Sequence, residues 1–156
     1  MKPLTQALLA AFVLVAALGA ASVREEEPFK APPITSYRVL PPDGLNREID
    51  RAVAAGEAWP RDPVLVGLHA FSSSPEALEE RSDLTVHWKG RPEEHPKSGE
   101  LVIVEQDAKD DAEAGEWQRF EMARLPDHTW RVTTHYAATR CWRGPRAGAW
   151  TREPCE

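Results

Sequence analysis

The residues whose chemistry is best suited to binding a ligand form a basic and aromatic cluster near the carboxyl end of the chain. Trp142, Arg143, Arg146 and Trp150 occur within one short stretch, although the protein as a whole is acidic. Exposed indole rings stack on ligands, and guanidinium groups bind anions. The four residues are therefore the candidate binding site, for an anionic or saccharide ligand. In the alternative interpretation, which we favour for the two rings, both pack onto the sheet and anchor the tail.

The five histidines do not show the spacing of a metal site. None lies four residues from another, and no HExxH motif occurs. His87 and His95 flank a predicted hairpin loop and could approach each other, but surface histidines are the favoured interpretation. We therefore expect no metal and no cofactor. The five are His69, His87, His95, His128 and His135.

An acidic loop ahead of the last hairpin offers oxygen ligands for a hard cation. It lacks the alternating D-x-D-x-D-G spacing and the bidentate Glu of an EF-hand loop. We expect a solvated turn rather than a calcium site, with Asp111 bonding local backbone amides and Gly115 taking a special φ angle. The acidic residues are Asp107, Asp110, Asp111, Glu113 and Glu116.

No pairing of a nucleophile with a base has a catalytic spacing. The serines at 72–74 lack a Gly-x-Ser-x-Gly elbow, and His128 follows Asp127 in a tight turn without a nucleophile beside it. No catalytic residue is predicted. A non-catalytic binding role is favoured, and the alternative is a small enzyme with a pocket between helices and sheet.

The amino-terminal segment predicts export. Residues 1–21 have the form of a secretory signal, with Lys2, an apolar run and small residues before Ser22. The apolar run is shorter than the roughly 20 residues of a spanning helix, so no stable membrane span is expected after cleavage. We expect a periplasmic or extracellular protein that binds an envelope component or a saccharide.

Charge and cysteine content agree with that destination. Removal of residues 1–21 takes away one of the 19 basic residues and none of the 25 acidic ones, so the net charge changes from −6 to about −7. Nucleic acid is excluded as the main partner because it requires a basic footprint. The two cysteines, Cys141 and Cys155, are expected to form a disulfide in an oxidising compartment.

Proline content divides the remaining chain into a tether and one domain. Residues 22–43 contain five prolines and are predicted to form an extended tether. Within it, Ile34 to Leu40 alternates weakly, and it stays open whether this stretch joins the sheet. Residues 44–156 suffice for a single domain.

Two helices are predicted at the start of that domain. The first has Asp43 as an available N-cap and Gly56 at its carboxyl end. The second begins at Asp62 with Pro63 in the first turn, and it is expected to bury Leu65, Leu68 and Phe71. Its apolar run is also compatible with a buried strand, and a further short turn is expected at 74–76. The apolar face of the first helix comprises Leu45, Ile49, Ala52 and Val53.

Four strands are predicted to follow the helices. The second is apolar on both parities, as expected of a central strand. The simplest architecture is α+β, with two N-terminal helices packed on a four-stranded antiparallel meander that leads into a C-terminal disulfide loop. One sheet face would be covered and the other partly open. The strands are Asp83 to Gly90, Leu101 to Gln106, Trp117 to Leu125 and Trp130 to Ala137.

The last two strands carry their apolar residues on parities that a four-residue loop would place on opposite faces. A three-residue loop or a bulge brings Met122 opposite Val132 and Phe120 opposite Thr134. Since a slip of one residue sends a whole apolar set to the other face, burial selects that arrangement.

The chain resembles a group of uncharacterised exported bacterial proteins over roughly Trp59 to Cys155, most specifically in its last third. The resemblance rests on a DD-x-x-x-G turn before a strand, here Asp110 to Gly115, and on an RC…PC pair that closes the chain at Arg140-Cys141 and Pro154-Cys155. The group tends to a Gly-Arg-Gly sequence where this chain has Arg143-Gly144-Pro145-Arg146. No activity is assigned to the group, so the resemblance implies a compartment and a disulfide but no mechanism.

Overall fold

The computed structural model describes residues 29–72, 84–90, 96–108 and 111–155. Within these ranges two α-helices lie on one side of an antiparallel sheet, in agreement with the predicted α+β class. The predicted signal segment and the turn expected at 74–76 lie outside the described residues. The elements are β1 (Arg38–Leu40), α1 (Asp43–Ala54), α2 (Pro63–Phe71), β2 (Leu84–Gly90), β3 (Ser98–Gln106), β4 (Glu113–Arg124), β5 (Trp130–Cys141) and β6 (Trp150–Thr151).

The sheet has the strand order β1-β5-β4-β3-β2, and β6 pairs with β5 beside β1. The described residues therefore form six strands rather than the predicted four. The predicted meander corresponds to β2 through β5, and the two additional strands cover the edge of β5 that β4 leaves free. β1 lies inside the segment predicted as a tether, so Ile34 to Leu40 joins the sheet through its last three residues. The weak alternation of Ile34 to Leu40 agrees with this strand, but three residues are too few for alternation alone to identify it.

The loop between β4 and β5 has three residues, one of the two predicted solutions. The amide of Leu125 donates to the carbonyl of Thr129 at 2.8 Å, which leaves residues 126–128 as the loop. His128 takes the left-handed conformation there, with φ 69°. Asp127 accepts from the Thr129 hydroxyl at 2.7 Å and from its amide at 3.1 Å, and these two hydrogen bonds lower the pKa of the carboxyl.

The same hairpin also contains a bulge, the other predicted solution. Met122 pairs with Val132 as expected. One extra residue on β5 then places Phe120 opposite His135 instead of the predicted Thr134. The bulge changes the parity of β5, so that Trp130 and Val132 pack into the core on one face of the sheet whereas Tyr136 and Ala138 pack on the opposite face.

α1 ends as predicted but begins differently. Pro42 occupies the N-cap position without a side-chain hydrogen bond, and Asp43 lies in the first turn, so the predicted cap is wrong. An acidic residue there still favours the helix through the dipole. At the other end Gly56 has φ 76° and its amide donates to the Val53 carbonyl at 3.0 Å, as in a Schellman motif.

α2 is a helix, and Asp62 is its N-cap as predicted. The carboxylate accepts from the amides of the two residues after Pro63, at 2.8 and 3.3 Å. The expected burial of Leu65 is wrong, since this side chain is 42% exposed. The helix instead approaches the sheet through Gly67, where an added Cβ would lie 2.0 Å from the Leu101 side chain. The absence of a side chain at Gly67 lets the helix lie close to Leu101, whose side chain would have to move to admit a Cβ.

The sheet buries apolar residues on both faces. We call the surface under α1 and α2 the helix face and the opposite surface the tail face. β3 contributes alternately to both and is buried throughout its centre, which agrees with its interior position between β2 and β4. The helix-face core comprises Ile49, Val66, Phe71, Leu101, Ile103, Phe120, Met122, Trp130 and Val132. The tail-face core comprises Val102, Val104, Trp117, Ala138 and Trp150, with Phe29, Ile34 and Tyr136 packed against it.

Candidate functional site

The predicted disulfide is present and closes the carboxyl-terminal segment. Cys141 at the end of β5 is bonded to Cys155, with 5.6 Å between the Cα atoms and a sequence separation of 14. We call residues 141–155 the tail loop. A bond of this kind restricts the unfolded chain and fixes where the loop returns to the sheet.

The backbone of the tail loop is organised by its own hydrogen bonds. The amide of Gly148 donates to the carbonyl of Cys141 at 3.0 Å, and that of Ala147 donates to Gly144 at 3.2 Å. Gly144 and Gly148 have φ angles of 94° and 80°, a region that favours glycine. At the start of the loop, the amide of Trp142 donates to the carbonyl of Ala112 at 3.0 Å.

The two tryptophans of the loop lie in different environments. Trp142 is 50% exposed, whereas Trp150 is 4% exposed and belongs to the tail-face core. The amide of Thr35 donates to the Trp150 carbonyl at 3.1 Å, which ties the tail loop to the amino-terminal segment. The Arg140 guanidinium lies 5.3 Å from the centroid of the Trp150 ring. The structure therefore does not bring the two indoles together as one exposed platform.

The arginines of the loop lie near carboxylates. Arg143 is 3.7 Å from Asp111, and Arg146 is 3.5 Å from Glu153, with both guanidinium side chains more than half exposed. Burial acts to raise the pKa of Glu153, but the hydrogen bond from Arg152 and the charges of Arg146 and Arg152 outweigh it, so that pKa is lowered. Each of the two arginines of the predicted cluster therefore lies beside a carboxylate that offsets part of its charge.

Two residues of the acidic loop form ion pairs with arginines. Asp107 lies 3.3 Å from Arg140 and takes a positive φ of 56°, while Asp111 faces Arg143. Gly115, for which a special φ is predicted, instead lies in β4, where an added Cβ would be 2.5 Å from the backbone oxygen of Glu105. Among the described residues no group of three or more histidine, cysteine or acidic side chains could hold a metal ion.

The described histidines lie apart from one another. His69 stacks on Trp59 with ring centroids 4.0 Å apart, and His87 stacks on Phe29 at 4.5 Å. His95 lies outside the described residues, so the suggested approach of His87 and His95 stays a prediction.

The helix face also carries a row of polar side chains that the sequence does not predict. Nε2 of His135 lies 2.8 Å from the side-chain oxygen of Gln118, and the Gln118 amide donates to Glu116 at 2.6 Å. The His135 ring stacks on Phe120 at 4.3 Å. Burial lowers the pKa of His135 to about 4, so the ring is neutral at pH 7. The available signal is parity, because Glu116 and Gln118 are polar residues on the same parity of β4 as Phe120.

No described helix has both the length and the apolar character needed to cross a membrane. The chain matches no protein-family model, no curated protein and no solved structure.

Proposed function

We propose that the protein is an exported, non-catalytic binding domain that contacts an anionic or saccharide ligand of the cell envelope through the tail loop. The observation that carries the proposal is the half-exposed indole of Trp142, on a loop whose ends are joined by the disulfide. A loop fixed before binding loses little entropy when a ligand arrives, and an exposed aromatic ring offers a stacking surface.

The arginines supply the charge in this proposal. Arg143 and Arg146 lie on the same loop as Trp142, and their ion pairs with Asp111 and Glu153 are exposed. Exposed ion pairs are worth about 0–1 kcal/mol, so an anionic group of a ligand can replace either carboxylate at small cost. Trp150 acts as the anchor that holds the loop against the sheet.

The test is cosedimentation of the mature protein with purified peptidoglycan sacculi. Trp142→Ala is expected to weaken binding by about tenfold or more, as for an aromatic hot-spot residue. The matched control is Leu125→Ala, which removes another exposed apolar side chain at the opposite end of β5 and is expected to leave binding unchanged. Equal affinities of Trp142→Ala and the wild type would remove the tail loop from the proposal.

Export has a separate test. The small residues after the apolar run place the mature amino terminus between Ala20 and Val23, and mass spectrometry of secreted protein measures it. Intact Met1 on exported protein would contradict the predicted cleavage.

The alternative function is a small enzyme that uses a pocket between helices and sheet, and the polar row around His135 is the observation that favours it. A general base works best with a pKa near the working pH, whereas burial leaves His135 with a pKa of about 4. The hydrogen bond to Gln118 further fixes the ring. These properties favour binding over catalysis. Turnover of chromogenic esters or glycosides that disappears in His135→Gln would reverse this preference.

A further inference from the structure

Part of the tail face lies beyond its apolar core and carries charged residues in register. Glu121 on β4 stands directly opposite Glu100 on β3, which in turn stands opposite Lys89 on β2. All three line a shallow depression of 610 Å³. Two carboxylates placed opposite each other repel, so this arrangement costs stability unless a cation lies between them.

Arg119 provides that cation. Its Nε lies 3.8 Å from Glu100, and its Nη2 lies 3.5 Å from Glu121. The guanidinium also lies 4.1 Å from the centroid of the Tyr136 ring, and the Tyr136 hydroxyl lies 3.4 Å from Glu121. One connected group of side chains therefore crosses β3, β4 and β5 on the tail face.

The contacts within this group are long. Strong hydrogen bonds between nitrogen and oxygen span about 2.7–3.2 Å, and the three polar contacts here range from 3.4 to 3.8 Å. Among the described residues, the Nε of Arg119 is buried without a hydrogen-bond partner. The Nε of Arg119 is thus closed to solvent, whereas the side chains of Glu100 and Glu121 are 37% and 44% exposed and can accept hydrogen bonds from a bound ligand.

An exposed aromatic ring borders the group on the other side. Tyr37 is 49% exposed and meets Tyr136 edge to face, with centroids 5.2 Å apart. Val39 on β1 pairs with Tyr136 and is 63% exposed. An apolar stacking surface thus adjoins the groups with unused hydrogen-bonding capacity.

We propose that this part of the tail face binds a neutral saccharide chain, with a sugar ring against Tyr37 and its hydroxyl groups among Glu121, Arg119 and Glu100. The two carboxylates are balanced by Arg119 and Lys89, so the surface carries no net charge with which to prefer an ionic ligand. Sugars require an apolar ring face together with closely spaced donors and acceptors. This surface shares no residue with the tail loop, so the inference goes beyond the function proposed above.

The experiment is calorimetric titration of the mature protein with cellohexaose, chitohexaose and maltohexaose as neutral probes and with heparin as an anionic probe. At least one neutral probe is expected to bind. Tyr37→Ala should weaken that binding by about tenfold, whereas Tyr37→Phe, which keeps the ring, should change it less than about twofold. Glu121→Gln should weaken it by about fivefold or more, because the amide alters the acceptor pattern without changing shape.

Leu125→Ala, which removes an exposed apolar side chain outside both proposed surfaces, is the control and should leave oligosaccharide binding unchanged. A loss of oligosaccharide binding in Tyr37→Ala and Glu121→Gln locates that binding on the tail face, whatever Trp142→Ala does to the binding of sacculi. Three results would overturn the inference: no neutral probe binds at millimolar concentration, heparin alone binds, or binding persists in both Tyr37→Ala and Glu121→Gln. Circular dichroism melting of each variant confirms that a loss of binding is not a loss of fold.

Discussion

The two faces of the sheet are buried by different means. The helix face is covered by α1 and α2, whose buried residues recur at helical spacing within short stretches of chain. The tail face is covered by Phe29 and Ile34 from one end of the chain and by Trp150 from the other. One core therefore follows from local periodicity, whereas the other exists only after distant segments have met.

A glycine permits close approach on each face, with a different neighbour. Beside Gly67 on the helix face the closest atom is a side-chain methyl of Leu101. Beside Gly115 on the tail face it is the backbone oxygen of Glu105, and the Trp150 ring follows at 3.0 Å from the position of an added Cβ. A side-chain tip can rotate away and a strand backbone cannot, so the tail face tolerates less change at its glycine.

The largest effect is expected on the helix face. Phe120→Ala removes a fully buried ring at the centre of the larger core and should lower the free energy of unfolding by about 3–5 kcal/mol. Urea denaturation followed by circular dichroism measures the loss. Leu125→Ala, at a partly exposed position in the hairpin, is the control and should change stability by less than about 1 kcal/mol. If Phe120→Ala lowered the free energy of unfolding by less than about 1 kcal/mol, the helix face would not dominate stability.

The next effect concerns the bond that holds the tail face. The disulfide encloses a loop of about 15 residues, for which chain entropy predicts a contribution of about 3 kcal/mol. Cys141→Ser with Cys155→Ser should lower the melting temperature and expose the tail loop to protease before the helix face opens.

Thiol titration supplies the control for this prediction. The unfolded, unreduced wild type should show no free thiol, and two titratable thiols would refute the bond. If sacculus binding survives in the double variant while the core stays folded, the disulfide anchors the tail without shaping a binding surface.

A smaller effect distinguishes the two glycines. Gly115→Ala should cost about 1–3 kcal/mol, because the new methyl group meets the strand backbone. Gly67→Ala should cost less, since Leu101 can adjust and alanine favours the helix by about 1 kcal/mol over glycine. Thermal melts of the two variants test the order. A larger fall in melting temperature for Gly67→Ala than for Gly115→Ala would show that the Leu101 side chain gives way less easily than the strand backbone.

The sequence predicts the helix face better than the tail face, because local periodicity defines the first and contacts between distant segments define the second. Alternation and helical spacing identify β2 to β5 and both helices, and the Asp62-Pro63 pair marks the start of α2. β1 and β6 have three and two residues, too few for a period, and their places depend on the free edge of β5. Long-range packing decides such elements.

Some features of the candidate site can also be predicted from the sequence, whereas others depend on long-range packing. The disulfide is predictable because the chain has only two cysteines. The different exposures of Trp142 and Trp150 are not, since both lie in similar local sequence and only the arrival of Trp150 at the tail face separates them. The group formed by Arg119, Glu100, Glu121 and Tyr136 is likewise not predictable, because it depends on the pairing of β3, β4 and β5.

The smallest expected effect is a pH dependence confined to the helix face. Burial lowers the pKa of His135 to about 4, against an ordinary value of 6.5. Between these values the unfolded chain binds the proton more readily than the folded protein, so the contribution of His135 to stability is complete above about pH 6.5 and is lost as the pH falls towards 4. The ring is only partly buried, which reduces the size of the effect. His135→Gln should therefore show a shallower decline of melting temperature between pH 7 and pH 4.5 than the wild type. Identical slopes in the wild type and in His135→Gln would show that His135 does not titrate as its burial requires.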